Sequence, residues 1–112
     1  MGRHSRQKGK RGEQEVARRL RAIFGDVVKR GWQAAGPAAP DVDAPFFWVE
    51  CKRQKRVNIM QALRQASDER EKANDPRTPI AHCQQDREPG TVTMWADDWF
   101  EWVEDWKARG ER

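Results

Sequence analysis

Asp41, Glu50 and Lys52 are three charged residues set among apolar neighbours, in the stretch Pro40-Asp41-Val42-Asp43-Ala44-Pro45-Phe46-Phe47-Trp48-Val49-Glu50-Cys51-Lys52. Residues 46–52 form the densest run of strand formers in the chain, since aromatic and β-branched side chains fit a pleated, half-buried surface. Alternation along a strand puts Trp48, Glu50 and Lys52 on one side and Phe47, Val49 and Cys51 on the other. A strand this apolar reads as central, and a carboxylate and an ammonium are costly to desolvate there unless they pair or hold a metal. Hard divalent cations such as Mg²⁺ prefer carboxylate and carbonyl oxygens and keep several waters, so two carboxylates and a backbone oxygen suffice as an anchor. A cation held by Asp41 and Glu50 would polarise a phosphate and acidify a bound water. Lys52 would ease the charge developing at phosphorus. The chemistry that fits these residue types is hydrolysis of a phosphodiester.

A chain of 112 residues is sized for one domain with a modest core. Its charged fraction of 36% is high, but six Trp and four Phe are more than a disordered chain carries, so a small, charged, folded protein is expected. Two cysteines, one of them in the central strand, do not make a disulfide framework; reduced thiols in a cytoplasmic setting, a bacterial or phage-infected cell, are the expectation. No apolar run is long enough for a membrane span, and none follows the basic N-terminus as in a signal peptide. Charge is unevenly spread: residues 1–56 hold 14 Lys/Arg against 6 Asp/Glu, whereas residues 57–112 hold 8 against 12. The basic half suits an anionic polymer, although a basic tail that only aids solubility has the same composition.

The elements that must position the acids follow from periodicity. Residues 1–9 read as a basic flexible arm in which Arg3, Arg6 and Lys8 can lie along phosphates, and residues 10–112 as the single domain. Val16, Ala17, Leu20, Ile23 and Phe24 mark one face of a helix from Lys10 to Phe24. At about 100° per residue Glu13 falls in that stripe and Glu15 opposite it. Glu13 also has a simpler reading, as an acid suited to a helix N-terminus. Asp26 to Gln33 reads as a first strand, Ala34 to Pro40 as a flexible loop, Asp41 to Asp43 as a short strand and Ala44-Pro45 as a turn into the central strand. Four cations then follow in Lys52-Arg53-Gln54-Lys55-Arg56.

Asn58 and Gln61 form a capping-box pattern opening a helix to about Lys72, on which Gln61 and Gln65 either touch substrate or are merely solvated. Ile80 to Cys83 and Thr91 to Ala96 read as the fourth and fifth strands. Asp98 with Glu101 caps a last helix through Ala108. Its Trp99, Trp102 and Trp106 could stack on bases, but the neighbouring acids would repel phosphate, which favours core packing or a subunit interface. His82-Cys83 has no partner pair at zinc-finger spacing, and adjacent strand residues face opposite sides.

Pro40-Asp41, Glu50-Cys51-Lys52 and Glu13 on the preceding helix resemble the PD-(D/E)XK nucleases. More narrowly, Lys8-Gly9-Lys10-Arg11-Gly12-Glu13-Gln14-Glu15, followed by the Ala/Gly/Pro-rich loop into Asp41, resembles the small archaeal-type Holliday junction resolvases and their phage and bacterial relatives. The likeness runs over about residues 8–105. It implies an α/β fold with a restriction-endonuclease-like core, a mixed sheet of about five strands flanked by helices. It also implies a homodimeric endonuclease of DNA recombination and repair that acts on DNA, branched DNA in particular, with Mg²⁺ or Mn²⁺ as cofactor. Carried over by position, Asp41, Glu50, the Cys51 backbone carbonyl and Glu13 would hold the metal or its water, and Lys52 would orient or activate that water. Arg3, Arg6, Lys8, Lys10, Arg11, Arg53, Lys55, Arg56, Gln61 and Gln65 are the expected DNA contacts. Resolvases often carry a Ser before the Asp, whereas residues 25–45 here hold no Ser or Thr. The same residues would serve a flap, nick or restriction-type nuclease, and the fold alone a DNA-binding protein that does not cleave.

Overall fold

The computed structural model describes residues 3–31 and 39–110. In chain order the elements are α1 (Arg3–Phe24), β1 (Lys29–Arg30), β2 (Val42–Asp43), β3 (Phe47–Gln54), α2 (Ile59–Lys72), β4 (Thr78–Gln85), β5 (Thr91–Thr93) and α3 (Ala96–Gly110). They build an α/β domain around a five-stranded mixed sheet in the order β1-β2-β3-β4-β5, in which only β3 and β4 run parallel.

β3 is buried on both faces because a helix covers each. Val16 and Ala17 of α1 pack with Val28, Val42, Ala44, Val49, Cys51 and Ile80 on one side. On the other, Ala62 and Leu63 of α2 meet Ala81 and Cys83 of β4. The small residues in these helix stripes let the backbones approach the sheet closely. The crossover from β3 through α2 to β4 is what parallel pairing requires. It starts as the sequence predicts, with the Gln61 N–H donating to Asn58 Oδ1 at 3.0 Å.

Several boundaries differ from those expected. α1 begins at Arg3 rather than Lys10, so residues 3–9 belong to the helix and not to an arm. Residues 3–8 include Arg, Gln and Lys, which lose little rotamer freedom in a helix. Lys8 is further tied to Asp86 by its Nζ at 2.7 Å. Gly25, with φ +85°, ends the helix in the left-handed conformation that glycine adopts freely.

The first strand shrinks from residues 26–33 to Lys29–Arg30 among the described residues, because its partner β2 is only two residues long. β2 is bounded by Pro40, which has no N–H to offer a ladder, and by the turn at Ala44-Pro45. Trp32, Gln33 and the loop 34–38 lie outside the described residues, as do the side chains of Arg3 and Arg6. β3 starts at Phe47, since Phe46 has φ +72° in the hairpin turn. β5 stops at Thr93 because Trp95 turns away to α2, its Nε1 donating to Ser67 Oγ at 3.2 Å. α3 starts at Ala96, with the Trp99 N–H donating to the Trp95 carbonyl at 3.0 Å, so Asp98 lies inside the first turn and is not the cap. Trp102 anchors this helix, stacked on Phe47 at 5.0 Å and donating from Nε1 to Thr78 Oγ1. No α3 residue is buried, so its aromatic stripe is a surface rather than core.

Arg77 clamps the turn regions behind β2 and β3. Its guanidinium donates to Asp75, to Asp43 and, at 3.1 Å, to the Ala44 carbonyl, and lies 5.6 Å from the centre of the Trp48 ring. Gly31 secures the other side. Its N–H donates to the Asp41 carbonyl at 2.9 Å, and a Cβ there would come within 1.6 Å of the Pro40 carbonyl oxygen.

Two substitutions test this description. Gly31→Ala is expected to lower stability by about 3 kcal/mol or more, because the atoms it meets are backbone and cannot yield cheaply. Gly9→Ala meets nothing within 4 Å and is expected to raise stability by roughly 0.5–1 kcal/mol, as it does only inside a helix. Urea unfolding measures both, and a neutral or destabilising Gly9→Ala would show that α1 does not extend through residue 9.

Candidate functional site

The β2–β3 register pairs Asp43 with Trp48 and Val42 with Val49, and Asp41 is the residue just before β2. Its carboxyl lies within hydrogen-bonding reach of that of Glu50. The Asp41 N–H donates to the Val49 carbonyl at 2.9 Å, and the Cys51 N–H donates to Asp41 Oδ2 at 2.8 Å. Asp41 is thus tied to β3 by both its backbone and its side chain just beyond the end of β2. Both acids are buried, Asp41 at 5% and Glu50 at 2% exposure. Lys52, two residues along the same face, holds its Nζ 3.8 Å from Glu50 Oε1.

Glu50 is the strained member of this group. Burial pushes its carboxyl up to about 9, the negative charges of Asp41 and Glu69 and a hydrogen bond with Asp41 push the same way, and Lys52 opposes them. Its Oε2 is buried with no hydrogen-bond partner. Burying an acceptor without a partner costs about 1–3 kcal/mol. A hard oxygen donor set with one unsatisfied lone pair fits Mg²⁺ or Mn²⁺.

Among the described residues no three His, Cys, Asp or Glu side chains group closely enough to hold a metal by themselves. A cation would therefore rest on Asp41 and Glu50, with backbone oxygen or water completing its shell. The Cys51 carbonyl is suited to this, since residues two apart on a strand present their carbonyls to the same edge and Val49 presents its own to Asp41. The Cys51 thiol points instead into the α1-side core, where burial pushes it well above the ordinary thiol range, so the side chain has no part in metal binding.

The helix-face argument places Glu13 further inward than Glu15, and the side-chain exposures of 22% and 49% agree with it. Glu13 does not join Asp41 and Glu50 as a third metal-grouping side chain. It accepts from Arg30 Nη2 at 2.9 Å, and its charge is felt at Cys51. Glu15 lies 3.6 Å from Arg53. His82 and Cys83 face opposite sides of β4, His82 towards Val16 and Arg19 and Cys83 towards α2; burial lowers the imidazole and raises the thiol.

Of the expected DNA contacts, Lys8, Arg11 and Arg53 come together at the ends of β3 and β4, and Lys55 and Arg56 follow beside them. Lys10 and Gln61 are exposed. Gln65 donates from Nε2 to Glu69 Oε1 at 3.2 Å. Glu69, a residue that strand and motif reasoning passes over, thereby brings α2 into the field at Glu50. Helix arithmetic holds the signal, because Gln61, Gln65 and Glu69 recur every four residues on one face. Arg87 gives no such signal, as only the β4–β5 turn brings it to the other cations.

No family model matches the chain, and no curated protein or solved structure matches it significantly.

The site sets a pH dependence with a definite sign. Between the ordinary carboxyl pKa near 4.5 and about 9, the unfolded chain releases the Glu50 proton and the folded one retains it. This contribution to stability is fully present below the lower value and is lost as pH rises through the upper. Metal-free protein is expected to melt at progressively lower temperature from pH 5 to 9, and Mn²⁺ to reverse the loss by binding the folded state. Glu50→Gln should flatten the profile and remove the Mn²⁺ response. A wild-type melting temperature that is independent of both pH and Mn²⁺ would exclude a metal at this pair.

Proposed function

We propose that the chain is a divalent-cation-dependent endodeoxyribonuclease of the PD-(D/E)XK type, hydrolysing phosphodiester bonds of branched DNA as the Holliday junction resolvases do. One observation carries the reading: two buried carboxyls, Asp41 and Glu50, close to each other, with Glu50 Oε2 unpartnered and a lysine ammonium along the same strand face as Glu50. Packing gives no reason for this arrangement, whereas a cation and an anionic substrate do.

Asp41 and Glu50 would hold Mg²⁺, or Mn²⁺ in its place, together with the Cys51 carbonyl. When bound, the cation supplies Lewis acidity at the phosphate and a more acidic water. Asp41 is fixed for its task by the Cys51 N–H it accepts, and Glu50 by burial on the central strand. Lys52 remains partly exposed, which leaves its ammonium able to meet the phosphate and steady the negative charge of the transition state. Glu13 is held by Arg30 and would stand behind the pair on α1. Lys8, Arg11, Arg53, Lys55 and Arg56 supply the positive surface that DNA needs. No helix among the described residues is long and apolar enough to cross a membrane.

Asp41→Asn and Glu50→Gln are each expected to lower the single-turnover cleavage rate at least about 10³-fold while DNA affinity survives, and Lys52→Ala about 10²-fold. Labelled four-way junction, flap and linear duplex, each with Mg²⁺ or with EDTA, test specificity together with activity. Equal cutting of all three would sink branch selectivity; binding without cutting would favour a DNA-binding protein of this fold.

The resolvase-like reading also includes a second copy of the chain. Trp99, Phe100, Val103 and Trp106 leave apolar surface exposed along α3, the part of the molecule best suited to be covered by it. Sedimentation should find a dimer that Trp106→Glu converts to monomer. A monomeric wild type at micromolar concentration would rule the assembly out.

A further inference from the structure

β3 and β4 end side by side, with Gln54 paired to Gln85, and a tight turn follows into β5. In that turn the Glu88 N–H donates to the Gln85 carbonyl at 3.1 Å, and Arg87 adopts φ +64°, a conformation a non-glycine residue seldom holds. The N-terminal half of α1 passes over these strand ends, so close that a Cβ on Gly12 would stand 3.2 Å from the Cβ of Arg53. The result is a pocket of about 310 Å³ lined by Lys8, Arg11, Arg53 and Arg87, with Gln84, Gln85 and Asp86.

Four cations face one acid there. Asp86 holds Lys8 through both carboxylate oxygens, at 2.8 and 2.7 Å, as a phosphate would. Both partners are more than a third exposed, and ion pairs of that kind contribute little, so the contact is readily exchanged. The two glutamines are already committed within the protein: Gln84 Nε2 donates to the Glu88 carbonyl, and Gln85 Oε1 accepts the Val57 N–H. Arg87 also lines an adjoining cavity with Lys55 and Arg56, so the positive surface continues past the turn. Arg53 follows Lys52 directly, so the pocket begins about 10 Å along β3 from Glu50, with the Arg53 side chain on the α1 side of the sheet.

We propose that the pocket formed by Lys8, Arg11, Arg53 and Arg87 grips a backbone phosphodiester of the DNA away from the bond at Asp41 and Glu50, and that Asp86 is the internal counter-charge this phosphate displaces from Lys8. The inference rests on the nuclease reading above and adds the β4–β5 turn as a DNA-positioning element. Arg87 is its new residue, and its left-handed backbone aims the guanidinium across the strand ends.

Fluorescence anisotropy over a salt series, with the whole chain and a duplex lacking terminal phosphates, tests it. Arg87→Gln is expected to raise Kd about tenfold and to reduce the slope of log K against log salt by about one. Asp86→Asn should tighten binding several-fold and steepen that slope, since Lys8 is released for phosphate. Arg109→Gln, the same charge change on α3, serves as control. If Arg87→Gln binds like Arg109→Gln, or if Asp86→Asn weakens binding, the pocket is wrong although the nuclease reading stands. A wild type that requires a terminal phosphate to show the Arg87 effect would overturn the backbone assignment. A wild type that binds no DNA at low salt would instead overturn the nuclease reading, and this proposal with it.

Discussion

Two carboxylates held side by side in a dry environment repel each other, and the structure around Asp41 and Glu50 is arranged to hold them there. The bonds of Asp41 to the backbone of Val49 and Cys51 on β3 set the proximity. α1 and α2, covering the two faces of β3, set the dryness. Neither condition suffices alone, since an exposed pair would be screened by water and a buried single acid would simply keep its proton. Together they leave Glu50 with a carboxyl that resists ionising and an oxygen without a partner. Burying an acid in this way costs the fold stability wherever the unfolded chain would ionise.

β2 is too short to hold Asp41 in place unaided. The surrounding chain supplies what two strand residues cannot: Gly31 bonds the Asp41 carbonyl, the Asp41 side chain takes the Cys51 N–H, and Arg77 ties Asp43 and Ala44 to the α2–β4 turn. Hydrogen bonding to Asp75 and Asp43 raises Arg77 against its burial, as expected of a cation held by carboxylates from separate segments. Asp75 is lowered in turn, chiefly by its side-chain hydrogen bond with Arg77. These contacts lie away from Glu50, yet they fix where Asp41 stands.

α1 has two duties that its sequence keeps apart. Val16 and Ala17 close the core beneath β3, and the turns before them carry Lys8 and Arg11 out over the strand ends. The close approach at Gly12 lets one helix do both. α2 is likewise divided, with Ala62, Leu63 and Ala66 buried and Glu69, bonded by Gln65, close enough for its charge to act on Glu50. The charge asymmetry of the chain thus becomes spatial: the basic half gathers round the ends of β3 and β4, while the acidic, aromatic α3 lies apart on the surface.

From sequence alone, the order of helices and strands, the Asn58 cap, the inward lean of Glu13 and the placing of Glu50 and Lys52 on one face of the central strand were all legible. Each is a local matter of periodicity, capping or side-chain type. The extent of α1, the shortness of β1 and β5, and the true start of α3 were not, because contacts between segments decide where an element stops. The same holds for the site. Sequence named the two acids nine residues apart, but the folding of the segment before β2 onto β3 made them neighbours and two helices made them costly. It named the basic residues singly, but the β4–β5 turn decided which share a pocket, and it brought in Arg87 and Asp86, which no local pattern marks. Residue chemistry is written along the chain, whereas charge proximity and desolvation exist only once distant segments have packed.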